Sequence, residues 1–191
     1  MNRLIIATSN AGKVIEIRSA LGEVKDWSLE SLEPGIPGIE ETGETFLENA
    51  IIKAKHYSKW VHALTLADDS GLRVEALGGR PGVHSARYGR DPQARIARLL
   101  REMEFVDDAH RNAAFYCALA LARSGELIWT VQGEVAGVIA RSPSGTEGFG
   151  YDPVFRLPEL ERTMAELSTE QKNRFSARGK ALAELRKYLT S

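Results

Sequence analysis

Short apolar runs and helical stripes alternate along the chain. Residues 3 to 8 are β-branched and apolar on both faces, which predicts a buried strand. Val14, Ile17 and Leu21 then recur at helical spacing across residues 11 to 21. The stretch "SLEPGIPGIEETG" predicts an irregular loop, because its prolines and glycines interrupt both periods. Phe46, Ala50, Ile51, Ala54 and Tyr57 form the stripe of a second helix, about 46 to 60, and Thr45 with Glu48 has capping-box spacing. "ALTLADDSG" predicts a strand that runs into two aspartates, and "GLRVEAL" continues in strand before the "GGRPG" loop. "DPQARIARLLREM" is an amphipathic helix with Asp91 as cap and Pro92 at its first position. Two long apolar strands follow, about 113 to 123 and 127 to 140, with Gly133 and Gly137 expected to bulge or bend the second. After the glycine-rich "SPSGTEGFGYDP" the tail reads as helix from about 169 to 189, with Ser168 and Gln171 spaced as a capping box.

This order implies an α/β protein with a mixed sheet flanked by helices, not a regular doubly wound pattern. A chain of 191 residues can bury one sizeable core, and no repeat, linker or low-complexity tract divides it. A single domain, residues 1–191, is the expectation.

Composition narrows the functional class. Charged residues make up 27% and the formal net charge is −1, a balance that argues against a basic nucleic-acid module. The sole cysteine, Cys117, sits in the apolar run "AAFYCALALA" and fits a reducing compartment. The N-terminus reads as strand rather than signal peptide, and no apolar run reaches the length of a membrane span. A soluble cytoplasmic protein, with neither nucleic acid nor membrane as partner, is therefore expected.

Several segments carry chemistry. In "LIIATSNAGKV" a strand ends in Thr8, Ser9 and Asn10 before a helix that begins at Ala11, with Gly12 and Lys13 in its first turn. Free N–H groups, hydroxyls and an ammonium there suit an anion, although the same residues also serve simply to cap the helix. It is not a Walker loop, since Val14 stands where a metal-holding hydroxyl is required and the first glycine is missing. In "ADDSG" alternation points Asp68 and Asp69 to opposite faces, so one carboxylate faces a cleft while the other bonds elsewhere. Such an aspartate could hold a divalent ion or take a proton from water, or only close an Asx turn before Gly71. "EETG" could supply a further acid for magnesium, or be a solvated loop. "EGFGYDP" lets backbone and ring faces approach a flat ligand, or forms a turn over core aromatics. Lys172 and Arg178 are six apart and need a local helix break to converge on one ligand. The four histidines show no ligand pairing, and Ser70 lacks a nucleophile elbow.

Taken together, "ATSNAGK", "EETGETFLENAIIKA", "ADDSGLRVEALGGRPGVHSARY", "GFGYDPVF", "AELSTEQKN" and "SARGKAL" resemble the inosine triphosphate pyrophosphatase family over nearly the whole chain. The resemblance implies an elongated α/β fold with a cleft between two lobes, and a homodimer. It implies Mg2+-dependent hydrolysis of ITP, dITP or XTP to the monophosphate and pyrophosphate. By the same resemblance Thr8, Ser9, Asn10, Ala11, Gly12 and Lys13 contact the triphosphate, and Lys53 is a further phosphate contact. Glu40 and Asp69 hold the metal, and Asp69 is also the proton acceptor. Ser70, Phe149, Gly150, Tyr151, Asp152, Lys172 and Arg178 line the nucleotide site. One position departs: the family pattern Ser-His-Arg is Ser176-Ala177-Arg178 here, which weakens expected base recognition. A nucleotide-binding sensor without catalysis is the alternative, although it could dispense with Glu40 and Asp69, and both are present.

Overall fold

The N-terminal apolar run forms a strand one in from the edge of the sheet. A computed structural model describes residues 1–191. β1 (Asn2–Ile6) stops short of the expected Thr8, whose hydroxyl accepts from the Asn10 N–H at 3.2 Å as the chain turns. α1 (Ala11–Leu21) follows, with Asn10 Oδ1 accepting from the Lys13 N–H at 3.2 Å as its cap. β2 (Trp27–Ser31) pairs parallel with β1. It lies in a stretch without a clear apolar run and was not expected from the pattern.

α2 (Phe46–Val61) starts at the anticipated Thr45–Glu48 capping box. "ALTLADDSG" and the first part of "GLRVEAL" join into a single strand, β3 (Leu64–Val74), parallel to β1, while Glu75–Leu77 leave it as a turn of 3-10 helix. α3 (Pro92–Glu102) is capped by Asp91, which accepts from the Ala94 N–H at 2.7 Å. β4 (Asn112–Arg123) and β5 (Glu126–Ile139) form the longest hairpin, closed by Ser124 (φ 52°) and Gly125 (φ 86°). Two consecutive left-handed residues match the right-handed twist of the strands they join. β6 (Phe155–Leu157) and β7 (Arg162–Thr163) complete a seven-stranded sheet in the order β2-β1-β3-β4-β5-β6-β7, parallel around β1 and antiparallel from β3 onward.

Two expectations are corrected. The register irregularity in the hairpin falls at Leu121/Ala122, not at Gly133 or Gly137, which pair regularly with Cys117 and Ala113. Those glycines are required by close approach instead: a Cβ on Gly133 would strike the Ala177 carbonyl, and one on Gly137 the Phe155 ring. The C-terminal helix is also not continuous. α4 (Thr169–Phe175) ends at Ser176 in extended backbone (φ −70°, ψ 154°), and α5 (Ala177–Thr190) restarts with the Ser176 hydroxyl accepting from the Gly179 N–H at 3.0 Å.

Each sheet face has its own packing. On one, Ala50, Ala54 and Phe46 of α2 meet Ala67, Ala118, Ala120 and Ala122. On the other, Ile17 and Leu21 of α1 and Leu182 and Leu185 of α5 pack with Leu4, Leu66, Leu119 and Leu121. Val14 is half-buried against this core, so its apolar side chain has a packing role. No helix is long and apolar enough to cross a membrane.

Candidate active site

Alternation along β3 delivers its two aspartates to different neighbours. Asp68, 2% exposed, points to the α1 and α5 side. There its carboxylate pairs with Lys13, accepts from Arg178 Nε at 2.9 Å, from Ser70 Oγ at 3.3 Å and from the Cys117 thiol at 3.1 Å. Burial alone would raise this carboxyl, but Arg178 and Lys13 outweigh it and hold it well below the usual carboxylate range. Asp69 faces α2, where Lys53 Nζ donates to its Oδ1 at 2.9 Å and sits 3.3 Å from Glu41 Oε1. Here burial prevails over the attraction of Lys53 and Lys13, and the Asp69 carboxyl is pushed up.

A second buried network reaches across from the C-terminal helices. Glu16, on the inner side of α1 and 3% exposed, pairs with both Lys172 (2.5 Å) and Arg178. Lys172 also pairs with Asp152, whose Oδ2 accepts from the Phe149 N–H at 2.7 Å. Burial pushes the Asp152 carboxyl up, with Lys172 opposing. The cations of Lys172 and Arg178 lie 4.7 and 5.4 Å from the centre of the Phe149 ring. Because α4 breaks at Ser176, side chains six residues apart meet at one ring, as the spacing required.

Most of these groups, though not Asp68 or Glu16, line a cleft of about 410 Å³, within the range of small-molecule sites. Thr8, Ser9, Asn10, Lys13, Lys53, Asp69, Ser70, Phe149, Gly150, Tyr151, Asp152, Lys172 and Arg178 all line it. Ala11 and Gly12 do not; Gly12 instead lies under Phe149, where a Cβ would collide with the ring. Glu40 is exposed and outside the lining, and the loop acid that faces the cleft is its neighbour Glu41, half-buried beside Lys53. Asp68 and Glu41 fall in the "ADDSG" and "EETG" stretches, whereas nothing in the pattern marks Glu16, Ser85 or Arg95 as site residues. Glu16 lies off the Val14, Ile17 and Leu21 stripe, so the helical pattern carried no signal for it. Ser85 takes part through both backbone and side chain: its carbonyl accepts from the Tyr151 hydroxyl at 2.9 Å and its hydroxyl from the Leu72 N–H at 2.9 Å.

A metal would find few protein ligands, for nowhere do three or more His, Cys, Asp or Glu side chains converge to cage one. Asp69 Oδ2, however, is buried with no hydrogen-bond partner. One orphaned carboxylate oxygen with a second acid nearby fits magnesium, which takes one or two carboxylates and completes its shell with phosphate oxygens and water.

Fold and cleft together define an α/β protein whose site joins an anion-binding helix start and a basic wall to a ring-lined end, the layout of a nucleotide-handling protein. The particular family follows from comparison with known proteins: the Ham1 family model matches residues 4–188, and the chain belongs to that family. A dITP/XTP pyrophosphatase of Geobacillus kaustophilus (strain HTA426) is 50% identical over 190 residues, 97% of this chain and 93% of that protein. One of Bacillus subtilis (strain 168) is 48% identical over 194 residues, covering 99% and 98%. Among solved structures, a HAM1 protein from Coxiella burnetii superposes with a TM-score of 0.89 at 41% identity, covering 100% of this chain and 99% of that one. The Staphylococcus aureus Ham1 protein gives 0.85 at 37%, covering 98% of each. The resemblance read from the motifs is thereby borne out, as is the mixed α/β fold.

Proposed function

We propose that this chain hydrolyses the unusual purine nucleoside triphosphates ITP, dITP and XTP to the monophosphate and pyrophosphate, clearing them from the nucleotide pool. The observation that carries the reading is Asp69: a carboxylate at the cleft, fixed through Oδ1 by Lys53 and unpartnered at Oδ2. The names of the relatives, dITP/XTP pyrophosphatases at 50% and 48% identity, support the substrate class.

In this reading the triphosphate lies against Thr8 to Lys13 and Lys53, and the base stacks at Phe149 with Lys172 and Arg178 behind the ring. Asp69 orients a water for in-line attack at the α-phosphorus. The water oxygen forms the new bond to phosphorus, its proton passes to the Asp69 carboxylate, and the α–β anhydride bond breaks to release pyrophosphate. Lys53, donating to Oδ1, holds the carboxylate in place for that proton. Lys13 and Lys53 stabilise the charge that grows on the leaving group. Asp69 and a loop acid would hold Mg2+, which would supply further neutralisation of the phosphate charge. Of the two loop acids, Glu41 rather than the expected Glu40 faces the cleft, and Glu41→Gln against Glu40→Gln separates them by magnesium affinity.

The same reading treats residues 1–191 as one catalytic domain, acting in the cytoplasm as a homodimer without nucleic-acid or membrane partners. Pyrophosphate release should be measured across a panel of nucleoside triphosphates, with Mg2+ and with chelator. Release from ITP and XTP that requires Mg2+ is the expected result. Release of orthophosphate in its place overturns the assigned bond cleavage.

A further inference from the structure

The cations that line the cleft fall into two sets. In the first, every charge is matched by acids: Lys13 pairs with Asp68, Lys53 with Asp69 and Glu41, Lys172 with Glu16 and Asp152, and Arg178 with Asp68 and Glu16. The second set is Arg87 and Arg95, which line the same cleft and pair with no carboxylate.

These two stand on neighbouring segments. Arg87 closes the short helical stretch Gly82–Arg87 and is exposed, and Arg95 lies in the first turn of α3. The segments touch, since a Cβ on Gly89 would come within 2.8 Å of the Arg95 backbone nitrogen. The Nε–H of Arg95 is shut off from solvent and has no acceptor. That is not how this fold treats an arginine elsewhere: the buried Arg111 donates to the Ile139 and Met103 carbonyls at 2.7 Å each. A buried donor without a partner is unfavourable until a ligand supplies the acceptor.

Position along the cleft decides what that acceptor belongs to. Burial pushes the Tyr151 phenol up, and Arg95 is the charge that most opposes this. The Tyr151 hydroxyl in turn donates to the carbonyl of Ser85, two residues before Arg87, at 2.9 Å. Both arginines therefore belong to the nucleoside end of the cleft and not to the Thr8 to Lys13 helix start. Between a stacked base and a triphosphate lies the ribose, and the anionic group a ribose carries is a phosphate ester on its 2′ or 3′ oxygen. A guanidinium fork matches two oxygens of such a phosphate with parallel, charge-assisted bonds.

We propose that Arg87 and Arg95 form a second phosphate subsite, which takes nucleotides carrying a phosphate on the ribose 2′ or 3′ oxygen in addition to their 5′ phosphates. This rests on the nucleotide reading above and widens its substrate class.

The test is calorimetric binding of IMP, inosine 2′,5′-bisphosphate, inosine 3′,5′-bisphosphate and inorganic phosphate to the wild type, Arg95→Gln and Arg87→Gln, with the melting temperature of each protein. One bisphosphate should bind the wild type about tenfold or more tightly than IMP, the size of a charge-assisted contact, and which one does so tells the oxygen that bears the phosphate. Arg95→Gln should erase that advantage and leave IMP affinity unchanged. Arg87→Gln, at the exposed position, should reduce it in part. Melting temperatures should hold, because no internal partner of either guanidinium is removed. The proposal is overturned if neither bisphosphate binds more tightly than IMP. It is overturned too if Arg95→Gln weakens IMP as much as the bisphosphate, which would put Arg95 on the base or the 5′ phosphate. Inorganic phosphate bound as tightly as the bisphosphate would make this a free-anion site and end the ribose assignment. Failure of the wild type to hydrolyse ITP would sink the catalytic reading alone, since the ratio of bisphosphate to IMP affinity needs no turnover.

Discussion

Arg178 Nε donates to Asp68 Oδ2 at 2.9 Å, joining the first turn of α5 to the middle of β3 across 110 residues of sequence. The pair is almost wholly buried, and the same guanidinium reaches Ser70 Oγ at 2.8 Å and Glu16. Burial opposes the charge on Arg178, yet Asp68 and Glu16 more than offset it and its proton is held more tightly than usual. Removing one member of such a cluster strands the others in low dielectric.

Asp68→Asn should therefore destabilise the fold by about 3–5 kcal/mol, the usual cost of leaving a buried charge unpaired. Urea unfolding would measure it. Because the native carboxyl lies below its unfolded value, its stabilisation is present above the ordinary carboxylate pKa and is lost as pH falls below it. The deficit of Asp68→Asn relative to wild type should accordingly shrink when both are unfolded in acid.

Asp69→Asn separates chemistry from binding. Pyrophosphate release should fall by about 10²–10⁴-fold, the range for losing a general base. Nucleotide affinity, read by calorimetry, should largely survive, since Thr8, Lys13, Phe149, Lys172 and Arg178 are untouched. Near-full activity in this variant would remove Asp69 from the reaction.

Two glycines should fail in different ways. On Gly133 a Cβ meets the backbone of Ala177 and Ala181, which cannot step aside, so Gly133→Ala should lose roughly 1–3 kcal/mol of stability. On Gly12 a Cβ meets only the Phe149 ring, a side chain that can swing away. Gly12→Ala should keep its melting temperature and raise KM.

Cys117 should be silent toward thiol reagents until the protein unfolds. It is 2% exposed, and burial, reinforced by Asp68, pushes its thiol well up. As pH rises past about 8.5 the unfolded chain loses this proton while the native state keeps it. The unfolded state then binds fewer protons, and stability must decline with rising pH. Ellman's reagent in native and denaturing buffer, and melting curves from pH 7 to 10, check both statements.

Local chemistry was legible in the chain. Capping residues at Asn10, Thr45, Asp91 and Ser168 and the apolar stripes of α1, α2 and α3 announced the helices, because caps and periodicity act within a few residues. The opposite facing of Asp68 and Asp69 followed from strand alternation alone. β2 was not legible, since a five-residue strand with four half-buried positions leaves little pattern. Nor was the uneven accounting of charge, in which Lys13, Lys53, Lys172 and Arg178 are all paired and Arg95 is not.

What the sequence by itself determined was most of the helices and the long strands, the family resemblance and which residue types could meet a nucleotide. Tertiary structure alone decided which of them meet. The register of β3 against β4 sets Asp68 beside Cys117, the break at Ser176 turns Arg178 back toward α1, and the loop before α2 presents Glu41 instead of Glu40. The reason is physical: periodic burial fixes the face of each element locally, whereas an ion pair spanning 110 residues depends on how the elements dock around one core.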